Sequence, residues 1–267
     1  MTPLHAVVDV AVATCLFAWI ASLVTGDTSW VDRLWSIVPV AYVWIFAGFA
    51  HLTNVRLDVM SVVVTLWGAR LTFNFARKGG YAGVEDYRWG VLRARMPHWQ
   101  FQLLNLFFIV LYQNFILVLI TLPAWTAYEH QATTPFGLLD VVLALAFLGG
   151  TFAETIADEQ QWRFQKEKSA AIGKGESPVA QFLQRGLFRH SRHPAYFFEL
   201  AQWWIVFLMG AVAAGSLFQW TVVGPILLSL LFVGSIRFTE SITLSKYPDY
   251  KDYQRRTSPV VPWFVRH

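Results

Sequence analysis

Apolar residues dominate this chain in seven runs, each close to the ~20 residues a helix needs to cross a bilayer. The runs cover residues 6–24, 34–50, 57–75, 101–122, 136–152, 196–213 and 217–236. Polar residues gather between them, so the pattern predicts an all-α, polytopic membrane bundle of seven transmembrane helices with polar connecting loops. The runs fill most of the chain, which is read as one integral membrane domain over residues 1–267. No Lys or Arg precedes the first run. It therefore lacks the basic start of a cleaved signal peptide and is expected to stay as the first span.

Charge orients the bundle. Arg33 lies between the first two runs, and Arg77, Lys78, Arg88, Arg93 and Arg95 between the third and fourth. Seven further cations, from Arg163 to Arg192, lie between the fifth and sixth. The tail adds Arg237, Lys246, Lys251, Arg255, Arg256 and Arg266. With seven spans, all of these fall on one side and only Arg56 falls on the other. Cytoplasmic loops carry the excess of Lys and Arg, which predicts an outside N-terminus and a cytoplasmic C-terminus. The net charge of +4 on a chain that is 55% hydrophobic reflects those loops. No basic-aromatic soluble module accompanies it, so nucleic acid is not expected as a partner. Cys15 is the only cysteine, which excludes an intrachain disulfide or a cysteine metal site. The histidines are scattered apart from His190 and His193, and no metal site is expected.

Ionisable residues at the ends of membrane helices are read as a site by default. Pro194 suits the first turn of the sixth helix. From there Arg192, Tyr196, Glu199 and Trp203 share one face at i, i+4, i+7 and i+11. A cation, a phenol and a carboxylate on one stripe suit a cofactor cradle, with His193 beside them. Trp67, Arg70, Asn74 and Arg77 form a second such face on the third helix, where Arg70 and Arg77 are either anion ligands or members of ion pairs. The fifth helix is expected to run on past the membrane. It carries Glu154, Asp158, Gln161 and Gln165 as a polar stripe, or simply as a solvated helix end. Asp32 caps the second helix or joins the site. Glu85 and Asp86 open a basic amphipathic stretch in which Trp89 and Trp99 would sit at the headgroups. In the tail, Tyr247, Tyr250, Tyr253 and Arg256 offer rings and guanidinium groups for a nucleotide, or cations for lipid.

Three blocks, Trp67 through Arg88, Glu154 through Phe164, and Gly186 through Trp204 with the tail to Trp263, resemble the steroid 5-alpha-reductase superfamily. The likeness is greatest to its uncharacterised bacterial membrane branch. The Arg-His-Pro-x-Tyr block also recurs in membrane methyltransferases acting on prenylcysteine or phospholipid. The resemblance implies NADPH bound among cytoplasmic loops of a bacterial inner-membrane protein, among membrane lipids. It implies hydride transfer to the conjugated double bond of a hydrophobic lipid or steroid-like substrate. It assigns Arg70, Asp158, Arg192, Tyr196, Arg237 and Tyr253 to the cofactor, and the stripes above add Arg77, His193, Glu199 and Arg256. Trp67 stands where the steroid reductases have a Tyr, and an indole cannot give up a proton as a phenol does. Asp32 and Glu85 are therefore the expected proton donors. The alternative activity is S-adenosylmethionine-dependent methyl transfer to a lipid or prenylated acceptor.

Overall fold

A computed structural model describes residues 1–178 and 180–263. Arg266 lies outside the described residues. The regular elements are helices, and seven of them are long and apolar enough to cross a membrane. This is the all-α architecture that the apolar runs predict.

Helix α1 spans Pro3–Thr25. The Thr2 side chain caps it by accepting from the His5 N–H, and Gly26 at φ +70° ends it. Val8, Val12, Leu16, Ile20 and Leu23 remain exposed along α1. A helix apolar all round fits hydrocarbon, not water. The second span is broken: α2 is Trp30–Leu34 and α3 is Val38–Phe49. At the break, Ser36 and Thr72 share a hydrogen bond of 2.7 Å. Helix α4, Val55–Arg77, comes so close there that a Cβ on Gly68 would lie 2.5 Å from the Ser36 carbonyl oxygen. Only glycine permits that approach.

Helix α5 is Tyr87–Arg95. The fourth span joins α6, His98–Leu104, a π-helical stretch at Asn105–Tyr112, and α7, Gln113–Glu129. Asn105 makes an interhelical bond, donating to Ser22 Oγ at 3.0 Å, whereas Asn114 donates to Val110 O within its own span. Helix α8, Leu138–Gly173, has 36 residues. At ~1.5 Å per residue it is about 54 Å long against a hydrocarbon core of about 30 Å. That length exceeds what a crossing requires, in keeping with the continuing helix its polar stripe predicts. Helices α9, Pro194–Ala214, and α10, Val223–Lys246, complete the seven, and a short α11, Tyr250–Arg256, follows.

The chain forms two compact units, residues 1–147 with 203–228, and residues 148–202 with 229–267. In unit 1 the core includes Tyr42, Phe46, Leu57, Trp67, Leu117 and Trp203, all fully buried. Arg56, the lone cation on its side by sequence, is buried there in an ion pair of 2.6 Å with Asp140. Its other nitrogens donate to the carbonyls of Thr134 and Pro135 at 3.2 and 3.0 Å. In unit 2 the core gathers Phe164, Leu183, Phe232, Tyr250 and Tyr253. Phe182 packs on Tyr250 and Tyr253 with ring centroids 5.0 and 5.7 Å away.

Candidate functional site

The site is built where the segment before α9 meets the tail after α11, within unit 2. Backbone pairing sets it up. Ser191 and Ser258 form a parallel bridge, and the Arg192 N–H donates to Ser258 O at 2.8 Å. Ser191 Oγ donates to Val260 O at 2.6 Å, and the Trp263 N–H to His190 O at 3.0 Å. The tail is thus laid along residues 190–192, and Pro194 then opens α9 as expected.

Arg192 turns inward from this seam. Its Nε and one terminal nitrogen hold the two carboxylate oxygens of Glu240 at 2.6 and 3.1 Å. The other terminal nitrogen donates to Gln254 O at 3.0 Å and to Thr257 O. Glu240 also meets His193 Nε2 at 3.0 Å, Gln254 Nε2 at 2.7 Å and the Tyr250 hydroxyl at 3.3 Å. A carboxylate inside an apolar helix is costly unless its lone pairs are filled, and here they are. Burial pushes the Tyr250 and Tyr253 phenols above their ordinary value. The Glu240 charge raises both further, while Arg192 opposes. Both phenols therefore stay neutral donors, Tyr253 to the Phe188 carbonyl.

Beside this knot opens a cleft of about 370 Å³, lined by Arg192, Arg255, Arg256, Thr257, Ser258 and Trp263 among others. That volume lies within the range of small-molecule sites. Arg255 is 68% exposed and reaches Asp252 only at 3.4 Å, and Trp263 is 62% exposed. With the Arg192 guanidinium committed to Glu240, Gln254 and Thr257, the donor set is the guanidinium groups of Arg255 and Arg256, two hydroxyls and an indole face. Such a set suits a polyanion that carries a planar ring.

The other sequence-selected residues fall as follows. His193 stacks on Tyr196 at 5.6 Å, and the Tyr196 hydroxyl is 3.4 Å from Ser235 Oγ. Arg192, His193 and Tyr196 are thus brought together, and Arg192 and Arg256 both line the cleft. Tyr253 is 5% exposed and its ring packs on Phe182, so in this structure the ring belongs to the core. Glu199 is buried, Asp158 is half-buried on α8, and Arg237 is exposed on α10. In unit 1, Arg77 donates to Asn74 Oδ1 at 3.0 Å, and half-buried Arg70 lies two turns earlier on α4. Asp32 and Glu85 enter one loop network there. Asp32 accepts from Trp89 Nε1 at 2.9 Å. Glu85 accepts from the Thr28 N–H and hydroxyl, both at 2.8 Å, and pairs with Arg93 at 2.7 Å. Trp89 is therefore turned inward, 5% exposed, and not at a headgroup position. Glu240, the hub of unit 2, and the Arg56–Asp140 pair escaped the sequence reading. Glu240 lies just past the last apolar run among Thr and Ser residues, and local spacing carried no signal for it.

The model of a protein family of unknown function, DUF1295, matches residues 18–257. The chain belongs to that family. An uncharacterized protein of Schizosaccharomyces pombe, C594.04c, is 36% identical to this DUF1295 chain over 264 residues. The match covers 91% of this chain and 75% of that protein. No solved structure matches the chain.

Proposed function

We propose that this DUF1295 chain is an NADPH-dependent membrane oxidoreductase within the steroid 5-alpha-reductase superfamily. Its substrate is a hydrophobic lipid or steroid-like molecule with a conjugated carbon–carbon double bond. It sits in a bacterial inner membrane, N-terminus outside and C-terminus cytoplasmic, as the Lys and Arg distribution favours. The observation that carries the reading is the cationic cleft of unit 2, where Arg192, Arg255, Arg256 and Trp263 meet. Bound NADPH supplies a hydride for the β-carbon of the enone. Arg255 and Arg256 bind its phosphates, Trp263 offers a face for a planar ring, and Arg192 holds the tail that forms the wall. The candidate proton donors are Asp32 and Glu85, both in unit 1. S-adenosylmethionine has no phosphate and a single carboxylate, so it matches the paired cations Arg255 and Arg256 less well than a polyphosphate does.

Titration of detergent-purified protein tests the reading. NADPH should bind, NADH more weakly, and S-adenosylmethionine not at all. Binding of S-adenosylmethionine without NADPH would sink it. The proton donor is tested separately with Asp32→Asn and Glu85→Gln, which keep size but transfer no proton. The donor's amide variant should lose roughly 10²–10⁴-fold in NADPH oxidation with enone while NADPH still binds. Parental rates in both variants would remove the two carboxyls from the chemistry.

A further inference from the structure

The chain itself sets the depth of the unit 2 cleft. Helix α9 has 21 residues, so at ~1.5 Å per residue it is about 32 Å long and just fills a hydrocarbon layer of about 30 Å. Pro194 therefore stands at the boundary between hydrocarbon and headgroups. Arg192 lies two residues before it, within about 7 Å even for extended chain. The headgroup layer is roughly 5–8 Å deep on each face. The tail is bonded to this same stretch. Ser258 O accepts from the Arg192 N–H at 2.8 Å, and the Trp263 N–H donates to His190 O at 3.0 Å. Residues 258–263 thus run at headgroup depth.

The strip is amphipathic. Val261 and Trp263 are 57% and 62% exposed, and Pro259 is exposed beside them. Arg255 and Arg256, both exposed, line the cleft together with Trp263. Asp252 answers Arg255 only at 3.4 Å. Indoles favour the membrane interface, and guanidinium groups pair with phosphate. A water-soluble anion would use the cations and leave Val261 and Trp263 in water. An anionic phospholipid uses both. We propose that residues 255–263 dock on anionic phospholipid, with Val261 and Trp263 in the interfacial layer and a lipid phosphate at Arg255 and Arg256. The lipid then competes with the nucleotide for the rim of the cleft, a consequence that rests on the NADPH reading. Membrane composition thereby sets cofactor affinity.

The test uses the full chain, labelled with 5-fluorotryptophan, in phosphatidylcholine nanodiscs. Trp263→Phe identifies the Trp263 fluorine signal. Lipid with a nitroxide near its glycerol is added at low fraction, either as phosphatidylglycerol or as phosphatidylcholine, whose headgroup carries no net charge. The anionic lipid should broaden the Trp263 signal more, by roughly fivefold for each arginine engaged at low salt. Arg255→Gln with Arg256→Gln should remove the difference. A Trp263 signal that neither lipid broadens, or that both broaden equally, overturns the dock. The parent spectra decide this even where the double variant folds poorly. NADPH is titrated in the same nanodiscs, with and without unlabelled phosphatidylglycerol. The anionic lipid should raise its Kd roughly fivefold or more. Val261→Ser with Trp263→Ser, which keeps both cations but loosens the strip from the bilayer, should shrink that rise. A rise unchanged in this variant belongs to the surface potential and overturns the competition. Absence of NADPH binding in either lipid, with Trp263 still preferring the anionic one, overturns the NADPH reading alone. NADPH binding with no lipid preference at Trp263 overturns the dock alone.

Discussion

Two of the buried arginine–carboxylate pairs among the described residues differ in what surrounds them. In unit 1, Arg56 and Asp140 have side chains 3% and 1% exposed, and Arg56 spends its remaining donors on the Thr134 and Pro135 carbonyls. In unit 2, Arg192 and Glu240 are 8% and 9% exposed, and Arg192 likewise ties down Gln254 and Thr257. Chemically the two knots are alike: a bidentate fork whose spare donors hold a loop. The second borders a cleft, where two further cations, Arg255 and Arg256, gather. A buried ion pair is thus weak grounds for function by itself. What marks the second as a site is surplus charge beside a satisfied pair.

The largest effect should fall on the sealed pair. Arg56→Leu leaves Asp140 buried and uncompensated, as Asp140→Leu leaves Arg56. Each should cost about 3–5 kcal/mol, read as loss of thermal stability in detergent, with nucleotide affinity of the surviving folded protein unchanged. The double variant Arg56→Leu with Asp140→Leu should recover part of that loss, because no lone charge remains. Single variants as stable as the parent would mean that the pair is not buried as described.

Next comes Arg192→Leu, which should act on binding as well as on stability. Losing its charged hydrogen bonds to Glu240 should cost about 1.5–3 kcal/mol of stability, and the loosened wall of the cleft should raise the NADPH Kd. Trypsin should also reach Lys251 sooner, because Gln254 and Thr257 lose their tether. A folded variant with an unchanged Kd would reduce Arg192 to the structural role Arg56 plays, and would erase the contrast between the two units.

Much of the fold was legible in the sequence because a bilayer imposes length and apolarity on each helix, and the Lys and Arg pattern fits the same count. The overrun of α8 was legible from the stripe at Glu154 and Asp158, and α9 from Pro194. The break at Trp35–Ile37 was not. It depends on Gly68 and Thr72, more than thirty positions away, meeting Ser36. The same holds for the site. Arg192 and His193 stood out as polar residues at a helix mouth, but their partner Glu240 lies 48 and 47 positions on, respectively. Local periodicity carries no information about such pairings. Tyr253 shows the converse: its spacing suggested a ligand contact, whereas tertiary packing on Phe182 absorbs its ring.

Alkaline pH separates the units more gently. Burial raises the Tyr250 and Tyr253 phenols in the folded protein above the unfolded value of about 10. A raised acid stabilises fully below the unfolded value, and that contribution drains away as pH climbs past it toward the folded one. The tail after α10 should therefore loosen first between about pH 10 and 11, seen as faster cleavage at Lys251. Tyr250→Phe with Tyr253→Phe should blunt that dependence. Equal loosening in the double variant would assign it to lysine titration instead.

The smallest effect concerns the rim of the cleft. Arg255 is 68% exposed and only 3.4 Å-paired with Asp252, so its attraction for an anion acts largely through water. Exposed charge pairs are worth about 0–1 kcal/mol and are screened over a Debye length of about 8 Å at physiological salt. Arg255→Gln should therefore raise the NADPH Kd only a few-fold at low salt and hardly at all at high salt. Arg192→Leu should keep most of its effect at both, because its guanidinium is 8% exposed. The measurement is the Kd of parent and variants across a salt series. If Arg255→Gln proves as costly as Arg192→Leu and equally insensitive to salt, the rim and the knot are not distinct. The binding energy would then come from a desolvated pair of cations, with the anion buried between them.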